Sequence, residues 1–216
     1  MQAWLWWAPS SPTDCAMIAC EDVPRDPRFQ ALAGLAHIDV DLRYATTNNF
    51  VQQVLYAGLD CAFLRTEAVL ALQQAAHWLS AQRPGWRIRV LDALRPQRVQ
   101  EQLYRIFENT PQEMYLAHPQ RGSIHSFGMA VDVTLLDAQG QELDMGSGFD
   151  EMTLASHPDR ETEYLASGQL QVAHLHHRGL LRAAMRQAGF TGIHSEWWHF
   201  DLGDRERVRD TLPRVR

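Results

Sequence analysis

Two short stretches of this chain hold residues whose types and spacing suit metal chemistry. "GSIHSFGMAVDV", residues 122–133, sets His125 seven positions before Asp132, with Gly128 between them and an apolar alternation running through the aspartate. If "MAVDVTLL" is a strand, Met129, Val131, Val133 and Leu135 share one face, and Ala130, Asp132, Thr134 and Leu136 share the other. A carboxylate among small and apolar neighbours is costly to desolvate unless a cation or a donor meets it. A turn at Gly128 lets His125 fold back toward the same end of the strand, so that one nitrogen and one oxygen ligand reach a common point.

A catalytic zinc site needs three protein ligands and one position left for water. "SEWWHF", residues 195–200, offers a further histidine, His199, and a carboxylate beside it, Glu196. Positions i and i+3 of an ideal strand face opposite ways. Both residues therefore reach one site only if Glu196 stands in an irregular lead-in to the strand, which the preceding "GIHS" suits. Two imidazoles and one carboxylate leave Zn²⁺ with net positive charge, which lowers the pKa of a bound water to about 7. Glu196, near the metal without ligating it, would take the water's proton. Arg95, in "DALRP", is always charged and stiffened by Pro96, and would meet the tetrahedral oxyanion.

Each residue alone has a plainer reading. His125 could be a hydrogen-bonded structural histidine, Asp132 a cap or an arginine's partner, Arg95 a surface ion pair, and Glu196 with His199 a solvated strand start. The conjunction of all five favours the metal site. "HLHHR", 174–178, competes, because His174 and His177 stand i, i+3 on a helix. No carboxylate or third ligand is obvious beside them, so a plain helix surface is expected there. The H-E-x-x-H zinc protease motif is absent.

The elements that must position these groups follow from periodicity and breakers. Residues 63–82, "FLRTEAVLALQQAAHWLSAQ", predict a core helix stopped by Pro84-Gly85, and "WRIRVLDA", 86–93, alternates as a strand. A second helix follows with Pro96 in its first turn. "MAVDVTLLD" is a second strand, a third helix runs from about Gln171 to a stop at Gly189, and the aromatic "EWWHFDL", 196–202, is a third strand. The expected fold is α+β, a single domain over 1–216 with a central, mainly antiparallel sheet flanked by helices and the zinc site at the sheet. Residues 1–40 read as an N-terminal arm, irregular around the Pro- and charge-rich "CEDVPRDPRF".

Composition narrows the partners. The chain has 216 residues, 45% hydrophobic and 21% charged, with a net charge of −6, which argues against nucleic acid as a partner. Cys15, Cys20 and Cys61 form no CxxC pair, so neither a disulfide framework nor a thiolate zinc site is expected. "MQAWLWWAPSSP" lacks a basic start and breaks at Pro9, a poor signal peptide, and no apolar run approaches the roughly 18 residues that span a bilayer. A soluble cytoplasmic protein with no membrane partner is the expectation.

At this point "SIHSFGMAVD" resembles the S-x-H-x-x-G-x-A-x-D block, and "EWWH" the E-x-W-H block, of zinc D-alanyl-D-alanine dipeptidases of the VanX type. That family shares a broad fold group with zinc D-Ala-D-Ala carboxypeptidases and the hedgehog signalling domain. "DLRYATTNNF", 41–50, is similar to the family's Y-A-T-x-x-N-F segment, "DALRPQR" to its arginine loop and "DMGSGFD", 144–150, to its M-G-S-x-F-D segment. The resemblance runs from about Asp41 to about Phe200 and leaves the first 40 residues and the tail "RERVRDTLPRVR" unexplained.

The resemblance implies one zinc ion held by His125, Asp132 and His199, with Glu196 as catalytic base and Arg95 stabilising the transition state. It implies that Ser123 helps hold the carboxylate of a small dipeptide, D-Ala-D-Ala, and that Tyr44 and Asp150 bind its free ammonium. Such a closed, acceptor-lined end rewards a charged amine and rejects an acylated one. Phe127 departs from the family pattern, standing where arginine is usual, and could change pocket polarity. Two rivals remain at this stage: a D,D-carboxypeptidase acting on longer peptides, and a hedgehog-like zinc module without catalysis, which would need neither Glu196 nor Arg95.

Overall fold

The computed structural model describes residues 17–216. The segment read as a poor signal peptide, and Cys15, lie outside the described residues. In chain order the regular elements are β1 (Phe29–Ala31), β2 (Ile38–Val40), β3 (Phe63–Arg65), α1 (Thr66–Gln82), β4 (Arg87–Asp92), α2 (Gln97–Phe107), β5 (Ala130–Leu136), α3 (Glu161–Ala166), α4 (Val172–Gln187), β6 (Phe190–Gly192), β7 (His199–Leu202) and α5 (Arg205–Thr211). Five strands form one sheet in the order β2-β4-β5-β7-β6, parallel only between β2 and β4, while β1 and β3 pair antiparallel in a separate ribbon. This is the mainly antiparallel α+β arrangement that the sequence pattern predicts.

β5 lies at the centre because "AVDVTLL" is rich in β-branched and apolar residues, and all seven of its residues are buried. Val131, Val133 and Leu135 join Ile88 and Val90 of β4 in a core shared with α1 and α4. α1 contributes Ala68, Leu72, Ala75 and Leu79 at helical spacing, and its small residues suit close approach by α4. Replacing Leu72 by alanine in such a core would cost about 2–5 kcal/mol. Asp132 alternates to the other face of β5, away from these helices.

The structure departs from the sequence reading at Phe63 and fills in two segments that the reading left open. Phe63–Arg65 is strand β3 instead of the first turn of α1, because a short apolar run fits either period and β1 supplies a partner. Before residue 40, Cys20–Arg25 forms a 3-10 turn, followed by β1 and β2. Cys20 and Cys61 are buried free thiols in a second core with Tyr44, Tyr56 and Leu94. The C-terminal tail returns beneath the site. Arg216 N donates to Ile18 O at 2.8 Å and Val215 N donates to Ser126 O at 2.7 Å, one residue from His125. Among the described residues no helix is long and apolar enough to cross a membrane.

Candidate active site

Sheet register sets the first part of the site. Asp132 on β5 stands opposite His199 on β7 and, on its other side, opposite Asp92 on β4, where the register shifts after Val90. His125 arrives from a 3-10 turn, Ile124–Phe127, closed by Gly128 at φ 71. A Cβ at Gly128 would lie 2.9 Å from the Phe29 ring and 3.2 Å from Arg65 N, so the turn needs glycine for both conformation and space. Arg95 N donates to His125 O at 3.3 Å, fastening the turn to the end of β4.

Hydrogen-bond partners fix which nitrogen of each imidazole carries the proton. His125 Nδ1 lies 2.8 Å from Ala93 O, which only accepts, so Nδ1 carries the proton and Nε2 presents a lone pair. His199 Nε2 lies 2.9 Å from Asp201 Oδ1, and Asp201, held down at about 2 by His199 and Arg205 against the effect of burial, is an anion. His199 Nδ1 is then the free lone pair. These two nitrogens stand 3.1 Å apart, with Asp132 Oδ1 at 3.3 Å from the first and 3.0 Å from the second. Three electron pairs converge on one point, and the three residues are buried.

Such a triangle asks for a cation. Bonds of about 2.0–2.1 Å at tetrahedral angles set neighbouring donors about 3.3–3.4 Å apart, within a few tenths of an ångström of these separations. The donor set of two imidazoles and one carboxylate suits zinc. Without a cation a proton takes its place: burial alone would lower the His199 pKa, yet Asp201 and Asp132 raise it well above the usual imidazole value. Asp132 is held well below the carboxylate range by His125 and His199, although burial opposes this.

Glu196 lies in the irregular lead-in before β7, with Oε2 4.0 Å from His199 Nδ1. Its side chain keeps 15% exposure at the cleft floor. Desolvation there pushes its pKa up to about 7, with Asp132 adding to the rise and His199 opposing it. Arg95 is buried: Nε and Nη2 donate to Asp92 Oδ2 at 2.9 and 2.7 Å, Nη1 to Gln100 Oε1 at 3.1 Å, and Nη2 to Asp132 Oδ2 at 3.4 Å. A guanidinium has five N–H donors, so among the described residues one Nη1 N–H remains over. The guanidinium carbon also lies 5.1 Å from the centre of the Tyr44 ring.

Tyr44 OH donates to Asp150 Oδ2 at 2.7 Å in the same cleft. Asp150 adopts the left-handed φ of 57°, and burial pushes its carboxyl well above the usual range. One cleft of about 1020 Å³ is lined by all eight residues singled out in the sequence: Tyr44, Arg95, Ser123, His125, Asp132, Asp150, Glu196 and His199. Ser123 precedes the His125 turn without capping it by its side chain.

Other expectations need correction or addition. Phe127 is buried in the main core under the Arg214 guanidinium and does not line the cleft, so it does not set pocket polarity. His174 and His177 are not a plain helix surface. His174 is buried, with Nε2 3.2 Å from Asp144 Oδ2, and His177 Nδ1 donates to Asp144 O at 2.7 Å, so both tie α4 to the 144–150 loop. Asp92 and Asp201 were missed. Both had the signal that marked Asp132, an acid inside an apolar strand, and Asp201 shares a strand face with His199 at i, i+2.

A cation held by three protein donors, next to a carboxylate that titrates near neutrality, is the means by which hydrolytic metalloenzymes activate water. The protein is a metallopeptidase by class, and comparison with known proteins gives its family. The profile described as Peptidase M15, D-Ala-D-Ala dipeptidase, matches residues 28–216, and the chain belongs to that family. The D-alanyl-D-alanine dipeptidase of Escherichia coli (strain K12) is 37% identical over 165 residues, covering 76% of this chain and 79% of that protein. The D-alanyl-D-alanine dipeptidase of Synechocystis is 31% identical over 191 residues, covering 69% and 73%.

Proposed function

We propose that this chain hydrolyses D-Ala-D-Ala to two D-alanines with one zinc ion held by His125 Nε2, Asp132 and His199 Nδ1. The observation that carries the reading is the triangle of lone pairs beside Glu196. Bound zinc supplies Lewis acidity toward the scissile carbonyl and lowers the pKa of water. Glu196 takes the proton of the attacking water and passes it to the leaving amine. Arg95, kept in place by Asp92 and Gln100, stabilises the negative charge that grows on the carbonyl oxygen.

Substrate choice rests on the cleft's far groups. Tyr44 and Asp150 receive the free ammonium, and Ser123 helps hold the carboxylate. An acylated amine would bring no charge to Asp150 and would leave that buried carboxyl with only Tyr44 for company, which disfavours longer N-linked peptides. The reading includes a cytoplasmic site of action, where hydrolysis would divert the dipeptide from peptidoglycan precursors or recover alanine from wall turnover.

The test is release of D-alanine from D-Ala-D-Ala by the zinc-loaded protein, run beside N-acetyl-D-Ala-D-Ala. Turnover of the free dipeptide far faster than that of the acetylated form is expected. Equal or faster turnover of the acetylated form would move the protein to the carboxypeptidases, and no turnover of either would leave a zinc-binding module.

A further inference from the structure

Ser147, in the loop that carries Asp150, lies at the meeting point of four segments. Arg178 Nη2 on α4 is 3.1 Å from its Oγ, Trp197 Nε1 is at 3.0 Å and Ser156 Oγ at 3.0 Å. Proton placement is forced by the neighbours. Guanidinium and indole nitrogens only donate, so they take both lone pairs of Ser147. Ser156 gives its single proton to Glu151 O at 2.5 Å, so the Ser147 proton goes to Ser156 Oγ. Every hydrogen-bonding valence of the Ser147 hydroxyl is used.

The donors on this hydroxyl are themselves fixed. Arg178 is 0% exposed, its Nε donates to Met145 O at 2.7 Å, and its guanidinium carbon lies 5.8 Å from the Trp197 ring centre. Its Nη1 faces Glu161 at 3.5 Å. The loop has little freedom at this point, since a Cβ on Gly146 would lie 2.4 Å from His174 Nδ1. Neither Ser147 nor Arg178 lines the cleft, yet Trp197 is the residue after Glu196, and Asp150 is three residues beyond Ser147.

Asp150 sits at φ 57°, a conformation that costs energy for any residue with a side chain. Inside the loop Gly148 N donates to Glu151 Oε2 at 2.7 Å and Glu151 N to Gly148 O at 3.3 Å, and the contacts from α4 and the Trp197 segment add restraint from outside. We propose that Ser147 and Arg178 are positioning residues that fix the Asp150 loop against the Trp197 segment, so that recognition of the substrate ammonium depends on a hydroxyl that never touches it. This rests on the reading of Asp150 as the ammonium's partner.

The experiment measures kcat and KM for D-Ala-D-Ala and N-acetyl-D-Ala-D-Ala with the zinc-loaded full chain. Ser147→Ala is expected to raise KM for the free dipeptide about tenfold, the cost of a loosened charged contact, with kcat held within about threefold. The preference for the free over the acetylated substrate should shrink by a similar factor, bound zinc should be unchanged, and Ser147→Thr should restore the preference. In an Asp150→Asn background Ser147→Ala should alter that preference no further. Arg178→Lys, which keeps the charge and loses the planar fork, gives the same comparison should Ser147→Ala not fold. Equal loss on both substrates, or an equal shift of preference in both backgrounds, would overturn the inference alone. An unchanged preference in Asp150→Asn itself would instead remove the ammonium reading of Asp150, and the inference with it.

Discussion

Asp92 grips Arg95 through one oxygen, which accepts from both Nε and Nη2 at 2.9 and 2.7 Å. Its other oxygen accepts from Tyr56 OH at 2.5 Å and from Ala93 N at 2.9 Å. A fully buried carboxylate thus sets both the position and the orientation of the guanidinium beside Asp132. Asp92→Asn keeps the shape and loses the charge. We expect kcat to fall about 10- to 100-fold as Arg95 loses its anchor, with zinc content unchanged. Steady-state kinetics beside metal analysis check this, and a wild-type kcat would show that Arg95 needs no such anchor.

On the proposed reading Glu196 is the base and works only when ionised, so its titration would give the acid limb of activity. In the metal-free chain its pKa is pushed up to about 7 by burial, and a divalent cation beside it draws that value down. kcat/KM should therefore fall as pH drops through a midpoint below about 7. Glu196→Gln should lose about 10²- to 10⁴-fold in rate and still bind zinc. An acid limb that survives in Glu196→Gln at the same midpoint would assign it to another group.

Asp150 is shifted in the opposite direction from an ion-paired surface acid. Burial raises its pKa, Asp132 and Glu196 add to the rise, and the Tyr44 hydrogen bond and Arg95 only partly offset it. The empty pocket thus favours the neutral carboxyl. An arriving ammonium favours the anion, so substrate binding should release a proton. Affinity for the free dipeptide should increase with pH until the substrate amine loses its own proton near pH ~8. Calorimetry with Glu196→Gln in two buffers of different ionisation heat measures the release. Asp150→Asn should abolish it, and an equal release from that variant would refute the assignment.

The lone-pair triangle predicts strong coupling between metal and stability. At a zinc concentration of about 1,000 times Kd the folded state gains about 4 kcal/mol, or roughly 10 °C in Tm for a chain of this size. Chelation should lower Tm by that order and abolish activity, and added zinc should restore both. A melting curve indifferent to chelator, in a protein that stays active, would rule out the three-residue site.

Much of the site was legible because its residues lie in short local patterns. His125, Gly128 and Asp132 span eight positions, and Glu196 with His199 span four, so spacing alone carries geometry there. The supporting groups were less visible for a physical reason. Arg178 acts on Ser147 across 31 positions, and His174 and His177 meet Asp144 from some 30 residues away, contacts that only tertiary packing creates. The fold was legible where periodicity ran long, as in α1, β5 and α4. The three-residue strands β1, β2, β3 and β6 are too short for a period to declare itself, and their partners decide them.

The row of Asp92, Asp132 and His199 across three neighbouring strands also bears on how the sheet finds its pairing. Strand side chains alternate with a period of two, so a slip of β5 by one residue would send Asp132 toward the helices and bring Val131 or Val133 to the cleft. Every such misalignment strands a charge in the core and scatters the three donors. An ion bound only by the assembled triangle would therefore reward a single alignment among the alternatives, and the chemistry of the cleft would double as a proofreader of the fold.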